Sequence, residues 1–172
     1  MLFWFVGTAF VTVWFVFRDD RFDYRVLAIG AVAPDVVDGV TGGSWVMHSV
    51  TASIAMLVVV MAVARRGSLR RRRWLALPIG SLLHLVFDGA FDNTRNFWWP
   101  FAGLSFDGRG IPSLGRMPVN VVLEAAGLLM LWWLWRTNEL SDPGRRRRFL
   151  KTGHLLGAST GPGGTTNGAG TC

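Results

Sequence analysis

The sequence predicts an all-α integral membrane protein, a polytopic transmembrane helix bundle of four strong spans plus one short or re-entrant helix. Two observations support this: 51% of the 172 residues are apolar, and long apolar runs recur along the chain. A span needs about 20 mostly apolar residues, and only helices or closed barrels satisfy backbone polar groups in lipid. The four runs cover residues 1–17, 45–64, 74–91 and 119–135. We expect one transmembrane domain over 1–136 and a basic, Gly-rich, disordered tail over 137–172.

The first run and the segment that follows it raise separate questions. Residues 1–17 have no basic start and no small-residue cleavage site, which favours a retained anchor over a signal peptide. Residues 26–37 are too short to span comfortably, and Pro34 disfavours helical geometry in Ala33. They would form either a short tilted helix buried by its neighbours, with the amino terminus outside, or a re-entrant segment, with the amino terminus inside.

The basic residues orient the chain. Twelve of the eighteen lie in two clusters that adjoin predicted spans: Arg65, Arg66, Arg70, Arg71, Arg72 and Arg73, then Arg136, Arg145, Arg146, Arg147, Arg148 and Lys151. The positive-inside rule makes both clusters cytoplasmic, beside anionic lipid headgroups. The expected partner is therefore the lipid bilayer, and no nucleic acid is expected. We predict a multi-pass protein of the inner or plasma membrane, with a cytoplasmic carboxyl terminus and loop 92–118 outside.

In that orientation several ionisable side chains reach the same outer depth. They are Asp35, Asp38, His48, His84, Asp88 and Asp92. The last three have i, i+4, i+8 spacing, which puts them on one helical face. Ionisable groups in a membrane are costly and need a partner, and one divalent ion would partner them all. Imidazole and carboxylate ligands suit zinc first, with manganese, iron or magnesium as alternatives.

Each short pattern also has a simpler interpretation. Asp35 and Asp38 after Pro34 are typical of a turn. His48 beside Ser49 could be helix-capping chemistry, and His84 could pair with Asp88 one turn away. The metal interpretation depends on their coincidence in depth and side. Glu124, early in the last span, could complete the site or pair with Arg116.

The ordered motifs "APDVVD", "MHS", "HLVFD" and "FWWPF" resemble those of the membrane-bound metal-dependent hydrolases, also described as YdjM-like or LexA-binding, inner-membrane-associated hydrolases. The resemblance covers roughly residues 24–135. It implies metal-binding roles for two aspartates, Asp35 and Asp38, then for His48, and then for His84 with Asp88. The chain departs from the family at its amino terminus, which has no histidine, at Gly43, where many members have one, and at Met47, which replaces threonine. The reduced set favours one ion over two.

The leading functional prediction is metal-dependent hydrolysis at the outer membrane–water boundary, on a phosphoester or lipid-linked substrate. A bound ion would acidify water and polarise the scissile bond. Asp92, nearest the surface, would act as the catalytic base. The alternative is a non-catalytic membrane protein whose metal site serves structure, transport or sensing.

Overall fold

The structure is a computed structural model that describes residues 1–19, 21–41, 46–104 and 117–155. Every regular element in these residues is helical, which confirms the all-α class. The helices are α1 (Leu2–Val16), α2 (Tyr24–Thr41), α3 (Val50–Val63), α4 (Leu69–Asp88), α5 (Thr94–Phe97), α6 (Met117–Thr137) and α7 (Pro143–Thr152). Two short 3-10 turns, Val46–His48 and Ala90–Asp92, precede α3 and follow α4.

Helices α2 and α4 run parallel and form the centre of the bundle. Near their amino ends Arg73 Nε lies 3.1 Å from Asp23 Oδ2, and near their carboxyl ends His84 Nε2 lies 3.4 Å from Asp35 Oδ1. The two backbones approach closely because each helix has a glycine at the crossing. A Cβ on Gly80 would lie 2.5 Å from the Leu27 carbonyl oxygen, so a larger residue there would force the helices apart.

Helices α1 and α3 run antiparallel to this central pair. On α1 the Phe5 ring contacts His84, at the carboxyl end of α4, whereas Phe10 contacts Tyr24, at the start of α2. On α3 the Ser53 hydroxyl lies 3.1 Å from the Ser81 hydroxyl of α4. One end of the bundle therefore collects the amino ends of α1 and α3 and the carboxyl ends of α2 and α4. We call it the site end, and the opposite one the basic end.

Helix α6 packs parallel to α1. Trp133 contacts Trp14 and Phe15 late in both helices. Near the start of both helices, Glu124 Oε2 accepts hydrogen bonds from the backbone N–H groups of Phe3 and Trp4, at 2.7 and 3.2 Å. These N–H groups have no partner within their own helix. The structure thus assigns Glu124 to the first turn of α1, a role that the sequence did not indicate; Arg116 lies outside the described residues.

The four predicted spans are only partly reproduced. Among the described helices one, Pro118–Thr137, is long and apolar enough to cross a membrane, and its apolar stretch is only 11% buried. Helices α1 and α3 are apolar but have 15 and 14 residues, and α4 carries four arginines in its first turns. One such helix is weak evidence of a membrane protein, so the polytopic arrangement is not established by helix length.

The segment around Pro34 is longer and more regular than the sequence predicts. Helix α2 has 18 residues and continues through Pro34, because Pro34 is fully buried among neighbouring helices whose packing offsets its local preference. Of the two arrangements considered, the structure shows a continuous helix antiparallel to α1 rather than a re-entrant turn.

The tail also differs from the disordered segment predicted over 137–172. Asp142 caps the amino end of α7 by accepting from the Arg145 N–H, and Gly153 ends the helix at φ 76°. The Gly153 carbonyl then accepts from the Tyr24 N–H at 2.9 Å, and Leu155 is buried. Residues 137–155 are therefore packed onto the basic end, and 156–172 lie outside the described residues.

Candidate metal centre

Three elements bring Asp35, His48 and His84 together at the site end. Asp35 comes from the last turns of α2, His48 from the 3-10 turn before α3, and His84 from the penultimate turn of α4. Asp35 Oδ1 lies 3.5 Å from His48 Nε2 and 3.4 Å from His84 Nε2. The three atoms all lie within 4.8 Å of one another. Both histidines are almost completely buried, whereas the Asp35 side chain is 22% exposed.

The far side of each imidazole is held by an acceptor. His48 Nδ1 donates to Asp38 Oδ2 at 2.7 Å, and His84 Nδ1 donates to the backbone carbonyl of Ala31 at 2.7 Å. A neutral imidazole that donates from Nδ1 presents a lone pair at Nε2. Metal-binding histidines are typically oriented in this way, by a carboxylate or a carbonyl on the other nitrogen.

The three inner atoms have no hydrogen-bond partner within the described residues. Asp35 Oδ1, His48 Nε2 and His84 Nε2 are all buried and unsatisfied, and their separations of 3.4 and 3.5 Å are longer than a well-formed hydrogen bond between them. Three acceptors that face one another repel unless a cation lies between them. The cation is either a proton on an imidazole or a metal ion.

The two separations that involve Asp35 fit a tetrahedral ion. Ligand atoms bound at about 2.0–2.1 Å in a tetrahedron lie about 3.3 Å apart, against about 3.0 Å for neighbouring ligands of an octahedral ion. Both separations that involve Asp35 match the tetrahedral value to within about 0.2 Å. The donor set, two imidazoles and one carboxylate, also suits zinc and iron. The Asp35, His48 and His84 cluster could therefore hold one metal ion.

Asp38 organises the turn that carries His48. Besides the His48 ring, it accepts from the backbone N–H groups of His48 at 3.1 Å and Met47 at 3.4 Å. Capping of α3 is performed by Ser49, whose hydroxyl accepts from the Ala52 N–H. The His48 ring is consequently free of the capping role that its position in the sequence suggested, and it turns toward Asp35.

The carbonyl that orients His84 comes from the turn of α2 that contains Pro34. Because proline has no N–H, the helix lacks the hydrogen bond that residue 34 would donate to the Gly30 carbonyl; the next carbonyl, that of Ala31, accepts from His84. The Phe5 ring lies on His84 with ring centroids 4.0 Å apart. Neither Ala31 nor Phe5 has a sequence signal for this role, since one acts through its backbone and the other resembles an ordinary apolar residue of α1.

The charge at His48 follows from its neighbours. His48 lies in the turn before α3, outside the long helices. Burial by itself would lower the pKa of His48, but the carboxylates of Asp35 and Asp38 raise it to about 9. In metal-free protein at neutral pH the cation of the cluster is thus a proton on His48, and a metal ion must displace it to bind.

The remaining predicted site residues occupy different positions. Asp38 Oδ2 contacts the outer nitrogen of His48, on the side of the ring away from the three-atom cluster. Asp88 is buried one turn beyond His84, but His84 directs its two nitrogens to Ala31 and Asp35 rather than to Asp88. The backbone of Asp92 lies in the second 3-10 turn, and its side chain lies outside what the structure describes. Asp35 and Asp38 both lie within α2, so the turn interpretation is wrong.

The segment after α4 is tied down beside the cluster. The Thr51 hydroxyl, in the first turn of α3, donates to the Trp99 carbonyl at 2.5 Å, and Asn96 is buried. This contact places the Trp98–Trp99 pair at the site end.

Comparisons with protein-family models, with curated proteins and with solved structures give no match for this chain. The resemblance to the membrane-bound hydrolases therefore stays a prediction.

Proposed function

We propose that this protein is an integral membrane hydrolase that uses one divalent metal ion at the site end of its bundle. One observation carries the proposal: three buried acceptor atoms, Asp35 Oδ1, His48 Nε2 and His84 Nε2, converge without a hydrogen-bond partner in the described residues. Native proteins rarely bury such atoms unsatisfied. The two separations from Asp35 and the oriented imidazoles fit the site of a metal ion.

The distribution of apolar side chains supports the membrane part of the proposal. Large apolar residues are exposed along helices that a soluble protein would cover, including Ile54, Val58, Val59, Met61 and Val63 on α3 and Val121, Val122, Leu128, Leu129 and Trp132 on α6. Soluble monomers rarely expose apolar patches larger than a few hundred Å². Lipid would cover these faces, and α1, α3, α4 and α6 would cross or enter the bilayer together.

Charge supports one orientation of this bundle. Arg70 to Arg73 begin α4, Arg136 lies at the end of α6, and Arg145 to Arg148 lie on α7. All belong to the basic end, opposite the cluster. The positive-inside rule would place that end in the cytoplasm and the metal centre at the outer boundary.

The number of ligands favours catalysis over a structural metal. Structural zinc sites are closed by four protein ligands, whereas catalytic sites have three and leave a position for water or substrate. Within the described residues the cluster offers three ligand atoms, and Asp35 is the one with access to solvent. An ion held there would lower the pKa of bound water toward about 7 and polarise a scissile ester.

The residues of the chain have separate tasks in this scheme. Asp38 and Ala31 keep each Nε2 lone pair directed inward, and Phe5 covers the His84 ring. Asp92, which begins the outer segment after α4, is proposed as the base that takes a proton from the attacking water. Asp88 would support the helix turn between His84 and Asp92.

The experiment measures metal and turnover on the same purified samples. Wild type in detergent should contain about one transition-metal ion per chain and hydrolyse a phosphoester or carboxylic ester. Asp92→Asn should keep the ion and lower turnover by about 10²–10⁴-fold, whereas Glu139→Gln, an exposed control at the basic end, should change neither. Metal-replete protein that hydrolyses none of a panel of phosphoesters, lipid esters and peptides would favour the alternative, a non-catalytic metal site.

A further inference from the structure

An apolar groove runs along the outer side of helices α1 and α2 next to the metal centre. Its volume is about 480 Å³, and it is lined by Leu2, Val6, Ala28, Ile29, Val32, Ala33, Val36 and Val37. All eight are apolar, and the groove is open along one side. Its volume falls in the range of small-molecule sites, which are mostly apolar with a few polar groups at one place.

The groove adjoins the cluster through both of its walls. On α2, Val32 precedes Asp35 by three residues and so shares its helical face, and Val36 follows it directly. On α1, Leu2 and Val6 are three residues before and one residue after Phe5, whose ring contacts His84. Asp35 is the ligand with solvent access, and it lies beside the groove rather than on the opposite side of α2.

The shape of the groove favours a single extended chain. The α2 wall extends from Ala28 to Val37, nine residue steps or about 14 Å of helix. Small side chains at Ala28 and Ala33 lie among branched ones, and the described lining offers no polar group to a ligand. The exposed apolar faces of α3 and α6 on the same molecule indicate that the medium around such a groove is hydrocarbon.

We propose that this groove binds one fatty-acyl chain of a membrane lipid, and that the lipid is the substrate of the metal centre, with its ester linkage beside Asp35. This inference rests on the proposed function for the reaction, but the binding of the chain does not depend on turnover. In the reaction water cleaves the ester. The bond between the central carbon or phosphorus and the leaving oxygen breaks, a bond from that atom to the water oxygen forms, and one proton of the water passes to the leaving oxygen.

The test is photolabelling in proteoliposomes of phosphatidylcholine and phosphatidylglycerol that contain a phosphatidylglycerol with a diazirine in its acyl chain. Mass spectrometry should find the label concentrated on residues 28–37 and 2–6. Ala33→Phe, which fills the groove, should lower labelling there about tenfold. Val58→Phe, on the exposed face of α3, is the matched control and should leave groove labelling unchanged. Metal content measured on each variant reports whether the fold persists. Val36→Ser, at an exposed position, is a second variant of the groove and keeps the packing of the core.

The outcomes separate the two proposals. Label spread evenly over α2, α3 and α6, or crosslinks that join the groove to a second copy of the chain, would overturn the acyl-chain site. Groove labelling in a protein that hydrolyses no lipid ester would retain the groove as a lipid site and overturn its role as a substrate site, whereas failure on the whole panel of phosphoesters, lipid esters and peptides would overturn the hydrolase as well. Hydrolysis of short soluble esters without groove labelling would do the reverse, retaining the hydrolase and overturning the acyl-chain site.

Discussion

Two carboxylates, Asp23 and Asp35, lie twelve residues apart at opposite ends of the α2 region and have different partners in the fold. Asp23, at the basic end, is 2% exposed. It accepts hydrogen bonds from the Arg25 guanidinium at 3.0 and 3.2 Å and from the Arg25 backbone at 3.1 Å, and it pairs with Arg73 at 3.1 Å. Asp35, at the site end, faces two histidines at 3.4 and 3.5 Å with an oxygen that has no hydrogen bond among the described residues.

The difference separates a carboxylate whose charge is fully paired from one that could bind a metal ion. Burial by itself would raise the pKa of Asp23, but hydrogen bonds and charge from Arg25 hold it below its usual range. Each oxygen of Asp23 has partners of opposite charge, so nothing further is needed there. The two imidazole nitrogens that face Asp35 are acceptors in their neutral form, so these three atoms need a cation between them. The comparison therefore places the candidate metal site at the carboxyl end of α2.

The largest expected effect is the loss of metal on deletion of a ligand. His84→Ala, His48→Ala and Asp35→Ala should each reduce bound metal from about one ion per chain to below about a tenth, because three ligands are the minimum of the site. Double variants should lower it little further, since the groups act as a unit. Plasma emission spectroscopy of purified protein measures this. Asp23→Asn, which removes a carboxylate at the other end of the α2 region, is the control: it should lose stability and keep the ion. Equal metal loss in Asp23→Asn would remove the distinction between the two ends.

A smaller effect is expected from Asp38, which orients His48 without joining the cluster. Asp38→Asn keeps an oxygen for the His48 N–H but removes the charge, so metal affinity should fall about 10–100-fold, as for other residues behind metal-binding histidines. Competition with a chromophoric chelator gives the affinity. A variant with as little metal as His48→Ala would instead identify Asp38 as a ligand itself, as the sequence prediction had it.

The smallest effect is a difference in pH dependence between the two ends of metal-free protein. The pKa of His48 is raised to about 9, above about 6.5 in the unfolded chain, so its stabilising contribution is complete below pH 6.5 and is lost as pH rises through 9. The pKa of Asp23 is lowered, so its contribution is present above pH 3.8 and is lost as pH falls below that. Thermal denaturation of His48→Ala and Asp23→Asn against wild type should show these opposite trends. With metal added, the stabilising contribution of His48 should instead increase with pH, because binding requires the neutral imidazole. An unchanged pH dependence in metal-replete protein would contradict metal binding at His48.

The sequence by itself determined the helical class and the residues from which the cluster is built. The long apolar runs predicted helices at α1, α3, α4 and α6, because a repeat of apolar residues over many turns has few other folded forms. It also indicated that Asp35, His48 and His84 would meet at one end, since a residue's place along a helix fixes its depth in an antiparallel bundle. The number of membrane spans stays a prediction, since one described helix satisfies the length criterion.

Only the tertiary structure decided which atoms face one another. The approach of α2 to α4 depends on backbone contact at Gly80, and it brings the Ala31 carbonyl, which has no sequence signal, onto His84. The same packing keeps α2 helical through Pro34, directs Glu124 to α1 rather than to the site, and orders α7 against Tyr24. Periodicity specifies faces and depths, whereas the choice among neighbouring partners is made by distances of a few tenths of an ångström between helices, and these depend on the whole packed bundle.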